Sequence, residues 1–213
     1  QLVLDLKAWI DELYAAGRAT SLSTRELEKK ITELTIGSNA KIGSNAFAGH
    51  ASIETVTLGA GAELGYMAFY NCDALANIDL SKVKTIGDYA LSGDVYYICL
   101  DENMTVAAVS NEGQYIYTYH APEITVADLS SAESVGEYAF AYCQAMTDVV
   151  LNPAITEIKQ YTFASCDSLA NINLENVTSI GEYAFAQCTL LKELILPAGL
   201  KTLGKGSLSG CTS

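Results

Sequence analysis

The chain has 213 residues, half of them hydrophobic, so it is long enough to bury a sizeable core and is not a disordered sequence. Its 25 acidic and 12 basic residues leave a net charge of −13, which makes nucleic acids and anionic membranes poor partners. No apolar run approaches the roughly 20 residues of a membrane-spanning helix, so we expect no membrane insertion.

The first 30 residues predict two short helices. Apolar residues from Leu2 to Tyr14 follow helical spacing, and Gly17 stands where a helix C-cap belongs. Ser23 and Glu26 form a capping box, which opens a second helix through about Lys30.

From residue 31 onwards, a recurring motif of the form apolar-x-x-apolar-x-apolar predicts short strands with one face in a core. The central apolar residues are Leu34, Val56, Ile78, Ile98, Ala127, Val149, Ile172 and Leu194. Their spacings are 22, 22, 20, 29, 22, 23 and 22 residues. A period near 22 predicts a solenoid, in which each coil buries its apolar side only against its neighbours.

A second motif, apolar-Gly-x-x-Ala-Phe, alternates with the first. It begins at Ile42, Leu64, Ile86, Val135, Ile158 and Ile180, with a divergent seventh copy at Leu203. Its last position predicts a ladder of core residues: Phe47, Phe69, Leu91, Phe140, Phe163, Phe185 and Leu208. We therefore expect one solenoid over residues 31–213, with residues 1–30 as its helical N-terminal cap.

The irregular stretch between residues 92 and 134 predicts two unequal coils rather than an inserted domain. One coil would be shortened by about two residues, and an aberrant coil at about 100–123 would be lengthened by about seven. After a turn at Asn111–Gln114, the long coil carries Tyr115, Tyr117 and Tyr119 on one side of an extended segment. Inward packing is the favoured interpretation, and an outward aromatic binding patch is the alternative.

The repeat resembles the BspA-type leucine-rich repeats of bacterial surface proteins. The matching residues include Leu194-Ile-Leu196-Pro197 and Ile180-Gly-Glu-Tyr-Ala-Phe185-Ala-Gln-Cys188, and the likeness covers roughly residues 31–211. The resemblance implies an α/β fold: a right-handed leucine-rich-repeat arc with short strands on the concave face and short helical turns outside. It also implies an extracellular or cell-surface location and a role in adhesion or host contact.

Cysteines recur once per coil at Cys72, Cys143, Cys166, Cys188 and Cys211. Metal sites use shorter spacings, so we expect buried free thiols and no metal, with disulfides between neighbouring coils as the alternative. Cys99 falls at an outward strand position, where it would be the one reactive thiol. His50 takes the cysteine position of the first coil, which favours a partly buried structural histidine.

The residues that flank each central apolar position point outward from the predicted concave face. These small, polar and acidic side chains form a candidate groove for a polar or cationic partner, and an ordinary solvated sheet face is the alternative. The acids are too scattered for a calcium site. The candidate binding residues are Asn77, Asp79, Tyr97, Asp128, Asp148, Asn171, Asn173 and Glu193.

No nucleophile–base pair or phosphate-binding loop accompanies the two isolated histidines, so we expect neither an enzyme nor a cofactor. The favoured function is a non-enzymatic binding or adhesion module that recognises a protein or glycan. The alternative is a structural spacer in a larger surface protein. The last repeat reaches Cys211 without its strand, so we also expect the natural chain to continue and its uncapped coil to self-associate end to end.

Overall fold

The computed structural model describes residues 31–97 and 117–211. The predicted N-terminal cap, the turn at Asn111–Gln114, Tyr115 and Cys99 lie outside these residues. The strands are β1 (Glu33–Ile36), β2 (Lys41–Ile42), β3 (Thr55–Leu58), β4 (Glu63–Leu64), β5 (Asn77–Ile78), β6 (Thr85–Ile86), β7 (Asp94–Tyr97), β8 (Tyr117–His120), β9 (Val126–Leu129), β10 (Ser134–Val135), β11 (Asp148–Leu151), β12 (Glu157–Ile158), β13 (Asn171–Ile172), β14 (Ser179–Ile180) and β15 (Thr202–Leu203).

The described coils stack as a solenoid of parallel strands, as the period predicted. On one side, β3 lies between β1 and β5, and β11 lies between β9 and β13. On a second side, β2, β4, β6 and β10 form one ladder, and β12, β14 and β15 form another. The strand predicted around Leu194 is wrong, because residues 191–197 form none. Pro197 supplies no amide donor there.

The expected helical turns outside the strands are not helices in the described residues. Their amide groups divide between two tasks: Ala46 N closes a turn onto Gly43 O at 3.3 Å, whereas Phe47 N donates to Ala68 O of the next coil at 2.9 Å. One residue of each Gly-x-x-Ala-Phe segment is left-handed, for example Tyr138 with φ 55°. A left-handed residue interrupts an α-helix, and amides bonded to the next coil are lost to the helical pattern.

The two unequal coils predicted between residues 92 and 134 are also wrong. β6 pairs directly with β10, with Thr85 beside Ser134 and Ile86 beside Val135. Between these coils, β7 and β8 pair with each other as an antiparallel hairpin. Asp94 lies opposite His120 at one end of the pairing, and Tyr97 lies opposite Tyr117 at the other. The region is therefore one coil with an inserted hairpin. The spacing from Ile78 to Ala127 fits both interpretations. Backbone groups of the two hairpin strands are satisfied because the strands hydrogen-bond to each other.

The phenylalanine ladder forms the core, as predicted. Phe163 is fully buried between Phe140 and Phe185, with both pairs of ring centroids 5.6 Å apart and the rings within 10° of parallel. Phe47 stacks on Phe69 at 5.2 Å, and the buried Leu91 takes the next position. Phe163 thus buries both ring faces against equivalent residues of adjacent coils.

The cysteines of the described coils are free thiols, and all except the half-buried Cys211 are buried. Each thiol donates to the carbonyl of the preceding coil's core residue: Cys166 Sγ lies 3.2 Å from Phe140 O, and Cys188 Sγ lies 3.1 Å from Phe163 O. Burial raises the pKa of Cys72 and of Cys188 to about 12. These thiols are therefore protonated and shielded, which makes them poor nucleophiles.

We predict that Phe163→Ala lowers the free energy of unfolding by about 3–5 kcal/mol, because the cavity would lie between two intact coils. Urea unfolding followed by circular dichroism measures this change. Val150→Ala, on the exposed side of β11, is the control and should change the free energy by less than about 0.5 kcal/mol. A loss below about 1 kcal/mol for Phe163→Ala would contradict the stacked core.

The buried thiols predict slow alkylation of the native protein. Cys72, Cys143, Cys166 and Cys188 should react only as the protein unfolds, because burial both shields them and raises their pKa. After denaturation without reductant, all six cysteines of the chain should titrate as thiols. A smaller number would show disulfides and contradict the arrangement described above.

The direct contact between β6 and β10 predicts a specific engineered crosslink. In the double variant Thr85→Cys/Ser134→Cys, the new cysteines stand side by side on paired strands, within disulfide reach. Mild oxidation should therefore join them, as peptide mapping would show. Thr85→Cys/Glu157→Cys is the control and should not crosslink, because β10 lies between. An intervening coil would prevent the first crosslink, so its failure would restore the two-coil interpretation.

Candidate binding surface

The outward side chains of β1, β3, β5, β9, β11 and β13, with those of the adjoining coil segments, form one surface, which we call the strand face. Inward residues of these strands, such as Val56 and Val149, are buried, so the alternation predicted from the sequence is observed. The predicted binding residues found on this surface are Asn77, Asp79, Asp128, Asp148, Asn171, Asn173 and Glu193, all exposed or half-exposed.

Tyr97 does not belong to the strand face. It lies in β7 opposite Tyr117 of β8, and this hairpin is a separate two-stranded sheet. The assignment of Tyr97 to the concave surface was wrong, because β7 pairs with β8 and not with a strand of the strand face. Tyr117 and Tyr119 both lie in β8, so the extended segment predicted for them is present.

Both carboxylate oxygens of Asp148, on the strand face, accept hydrogen bonds. Asn171 Nδ2 donates to its Oδ1 at 2.8 Å, and Thr147 Oγ1 donates to its Oδ2 at 2.6 Å. The hydrogen bond from Thr147, followed by that from Asn171, lowers the pKa of this carboxyl group. Asp148 is therefore held as an exposed, oriented negative charge.

Asp79 and Asp128 also hold local structure. Asp79 Oδ1 accepts hydrogen bonds from Ser81 Oγ at 2.5 Å and Ser81 N at 3.0 Å, which lower the pKa of its carboxyl group. Asp128 Oδ1 accepts the amide of Ser130 at 3.0 Å. Both carboxylates bond the backbone two residues on, which is an Asx turn. Their spacing in the sequence suggested ligand contact, but their geometry shows that each also shapes the turn after its strand.

Asn173 extends the pairing between β11 and β13. Its side-chain Oδ1 accepts the amide of Leu151 at 2.8 Å, and its Nδ2 donates to Leu151 O at 3.4 Å. The side-chain amide thus replaces the backbone partner that a longer β13 would supply. Sequence reasoning placed Asn173 on the surface but missed this bond, because no sequence pattern in the repeat predicts that an asparagine side chain will bond to the backbone of the neighbouring strand.

Two shallow depressions lie on the strand face. One, of about 340 Å³, is lined by residues of β3, β5 and β9, including Asn77, Asp79 and Val126. It lies where β5 and β9 belong to different sheets. The other, of about 410 Å³, is lined by Asp148, Asn171 and neighbouring residues of β11 and β13. Both are open hollows between coils.

Apolar side chains are interspersed with the acids on this surface. Val126 and Val150 are 49% and 46% exposed, and Ile195 is 85% exposed. A third depression, of about 220 Å³, is formed by Ala121, Gln144 and nearby residues where the hairpin rejoins the solenoid. The strand face therefore combines fixed carboxylates, amides and isolated apolar contacts, which suits recognition of another surface.

The described residues contain no group of three or more His, Cys, Asp or Glu side chains placed to hold a metal ion. His50 is half-buried at the cysteine position of its coil, as predicted. In residues 31–97 and 117–211 we also find no helix with the length and apolarity needed to cross a membrane.

Four tyrosines that sequence analysis overlooked stack on the turn side of the solenoid. Tyr89, Tyr138, Tyr161 and Tyr183, which we call the tyrosine row, have successive ring centroids 4.5, 4.5 and 5.0 Å apart. Each occupies the left-handed position of its Gly-x-Tyr-x-Phe or related segment. The recurrence of tyrosine at this position was the available signal, but the periodic phenylalanines beside it explained the core on their own.

Comparison with solved structures returns three leucine-rich repeat proteins. A leucine-rich cell surface protein from Faecalibacterium prausnitzii is 21% identical, over 86% of this chain and 58% of that one, with a TM-score of 0.38. A leucine-rich repeat protein of T. pallidum is 18% identical, over 76% of this chain and 79% of that one, with a TM-score of 0.43. One from Bacteroides ovatus is 16% identical, over 81% and 50%, with a TM-score of 0.38.

The chain thus spans little more than half the length of the first of these proteins. No curated protein matches the sequence. The family model described as BspA type leucine rich repeat region matches six copies, over residues 26–111 and 112–213. Together with the stacked parallel coils, this match shows that the chain belongs to the BspA-type leucine-rich repeat family.

Proposed function

We propose that the chain is a non-enzymatic binding module of a bacterial cell-surface or secreted protein, and that it recognises a partner protein through the strand face. The observation that carries this proposal is the pair of adjacent hollows lined by fixed polar groups on one exposed surface. Membership of the BspA-type family supports it, because leucine-rich repeats commonly bind proteins and because a structural relative is a cell surface protein.

The charge of the surface favours a partner with basic side chains. Asp148 is held ionised by its neighbours, and Glu193 lies exposed beside the same hollow. The whole chain carries a net charge of −13, which attracts a cationic surface over the distance that salt permits. Val150 and Ile195 add apolar contacts between the charges, as in the mixed surfaces of transient protein complexes.

The shape of the surface argues against an enzyme. Catalytic sites enclose the substrate and bring a nucleophile or base beside it, whereas these hollows are open and lined by amides, carboxylates and threonines. The thiols of the described coils bond to backbone carbonyls of the core, away from the strand face.

A structural spacer is the second candidate. The regular stacking of coils favours it, because the ladders of the described residues pair each coil with its neighbours along one axis. Self-association through the last coil stays a prediction; the exposed Ile195, Leu196 and Leu203 supply its apolar surface. If the chain bound no partner but was a rigid rod of constant length, the spacer would be favoured over the binding module.

We predict that Asp148→Lys/Glu193→Lys weakens binding at least about tenfold, equal to about 1.4 kcal/mol, because it places cations against a basic partner. Partners are first selected by screening wild-type protein on arrays of host matrix proteins and glycans. Affinity is then measured with an optical biosensor at two salt concentrations. Asp79 and Asp128 are left unchanged because they hold their turns.

Glu133→Lys/Glu157→Lys is the matched control, with the same change of charge at exposed residues away from the strand face and from the turn side. This control should bind the partner as the wild type does at the higher salt concentration. At the lower salt concentration it should lose only the long-range attraction that salt screens. Equal affinity of wild type and Asp148→Lys/Glu193→Lys would exclude the strand face as the site. If the chain bound only glycans on the arrays, the proposed partner would be a glycan and not a protein. If it bound nothing on the arrays, the spacer would be favoured.

A further inference from the structure

The tyrosine row is a continuous stack of aromatic rings on the side of the solenoid that the proposed function does not use. Its rings are inclined by only 6°, 10° and 16° to one another, and all four are half-buried. The stack crosses the coil that carries the hairpin without interruption, because Tyr89 packs directly on Tyr138 at 4.5 Å.

The row has two defined ends. At one end Tyr66, 44% exposed, packs against Tyr89 with its ring inclined by 67° and its centroid 5.8 Å away. At the other end Gly206 takes the tyrosine position with φ 63°, and a Cβ atom there would lie 2.4 Å from Tyr183 Cε1. Tyr183 therefore lies over Gly206, and the stack ends at this ring.

Stacking decides what the row presents to solvent. Because the ring faces pack on one another, the exposed parts are ring edges and hydroxyl groups. Burial raises the pKa of Tyr138 to about 12, so this phenol, like an ordinary tyrosine, is protonated at neutral pH. The row is thus a narrow apolar ribbon with hydrogen-bond donors at regular intervals.

We propose that the tyrosine row binds a proline-rich segment of a partner protein in the polyproline II conformation. Two ring steps, of 4.5 and 4.5 Å or of 4.5 and 5.0 Å, amount to about 9 Å, close to the roughly 9.3 Å of one polyproline II turn. Equivalent residues of the segment would therefore meet every second tyrosine.

Other backbone conformations match fewer of the rings. The turns of an α-helix repeat at 5.4 Å and lose register with the rings within two coils, and side chains on one face of a strand, which repeat at about 6.8 Å, would meet only the first and last rings. The backbone groups of an α-helix are also already bonded, whereas the carbonyls of a polyproline II segment have no internal partner. Phenolic hydroxyl groups supply the donors that these carbonyls need.

Charge gives the segment a preferred composition. Asp88, Glu137 and Glu182 lie beside the row, and none forms an ion pair with another described residue. Lys159 and Lys205 lie along the same segments, so the local excess is small, but the net charge of −13 favours basic over acidic segments. The partner is therefore proline-rich with interspersed lysine or arginine.

The test uses a fluorescent synthetic peptide of about nine residues that repeats Pro-Pro-Lys, long enough to span the row at roughly 3.1 Å per residue. Fluorescence anisotropy against the full chain should show saturable binding. A peptide with alanine in place of proline keeps the charge and should bind at least about tenfold more weakly, because it lacks the preformed conformation.

The key variant is Tyr138→Phe/Tyr161→Phe, which keeps the stacked rings and removes two hydroxyl groups. It should weaken peptide binding at least about fivefold, since each hydrogen bond lost to the peptide is worth about 0.5–1.5 kcal/mol. The thermal stability should stay that of the wild type, because the stacked rings are kept. Tyr142→Phe is the matched control, because Tyr142 lies on the turn side outside the row. It should bind the peptide as wild type does.

Three results would overturn the proposal: no binding of the proline peptide, equal binding of the alanine peptide, or equal binding by Tyr138→Phe/Tyr161→Phe. The strand-face variant Asp148→Lys/Glu193→Lys should bind the peptide with less than a threefold change. This arm separates the two proposals, because loss of the strand-face partner with retained peptide binding leaves the tyrosine row as an independent site.

Discussion

The hydrogen bonds between equivalent backbone groups of successive coils are the constraint on which the rest of the structure depends. Phe140 N donates to Thr162 O at 3.0 Å, and Phe163 N donates to Ala184 O at 2.9 Å, one coil further on. These bonds hold each residue beside its counterpart in the next repeat. Phenylalanine therefore stacks on phenylalanine, and each thiol reaches the same carbonyl, without any enclosing layer of helices in the described coils.

The same register creates the two surfaces proposed for binding. On the strand face it aligns Asp148 with Asn171, and on the turn side it aligns Tyr138 with Tyr161. Neither surface is an enclosed pocket, because a solenoid grows by adding coils along one axis. Recognition by such surfaces depends on spacing and on many modest contacts, so a partner with a matching repeat is favoured over a small molecule.

The disagreements between the expected and observed structures have specific physical causes. A length of 49 residues separates Ile78 from Ala127, and arithmetic alone divides it equally well into two coils or into one coil with an insertion. Antiparallel pairing of β7 with β8 decides for the insertion. The helical turns failed as a prediction because left-handed residues such as Tyr138 and amides bonded to the next coil leave no α-helical hydrogen-bond pattern.

The sequence by itself determined the solenoid, its period, the identity of the core ladder and the outward side of the strands, because these follow from apolar residues that recur at constant spacing. It placed Asp79, Asp128 and Asn173 on the surface but not in their hydrogen bonds. Only the tertiary structure decided which coils touch across the hairpin, and with them that the stack of tyrosines continues there from Tyr89 to Tyr138. The contacts across the hairpin join residues 49 positions apart, such as Tyr89 and Tyr138, and no local pattern records such a distance.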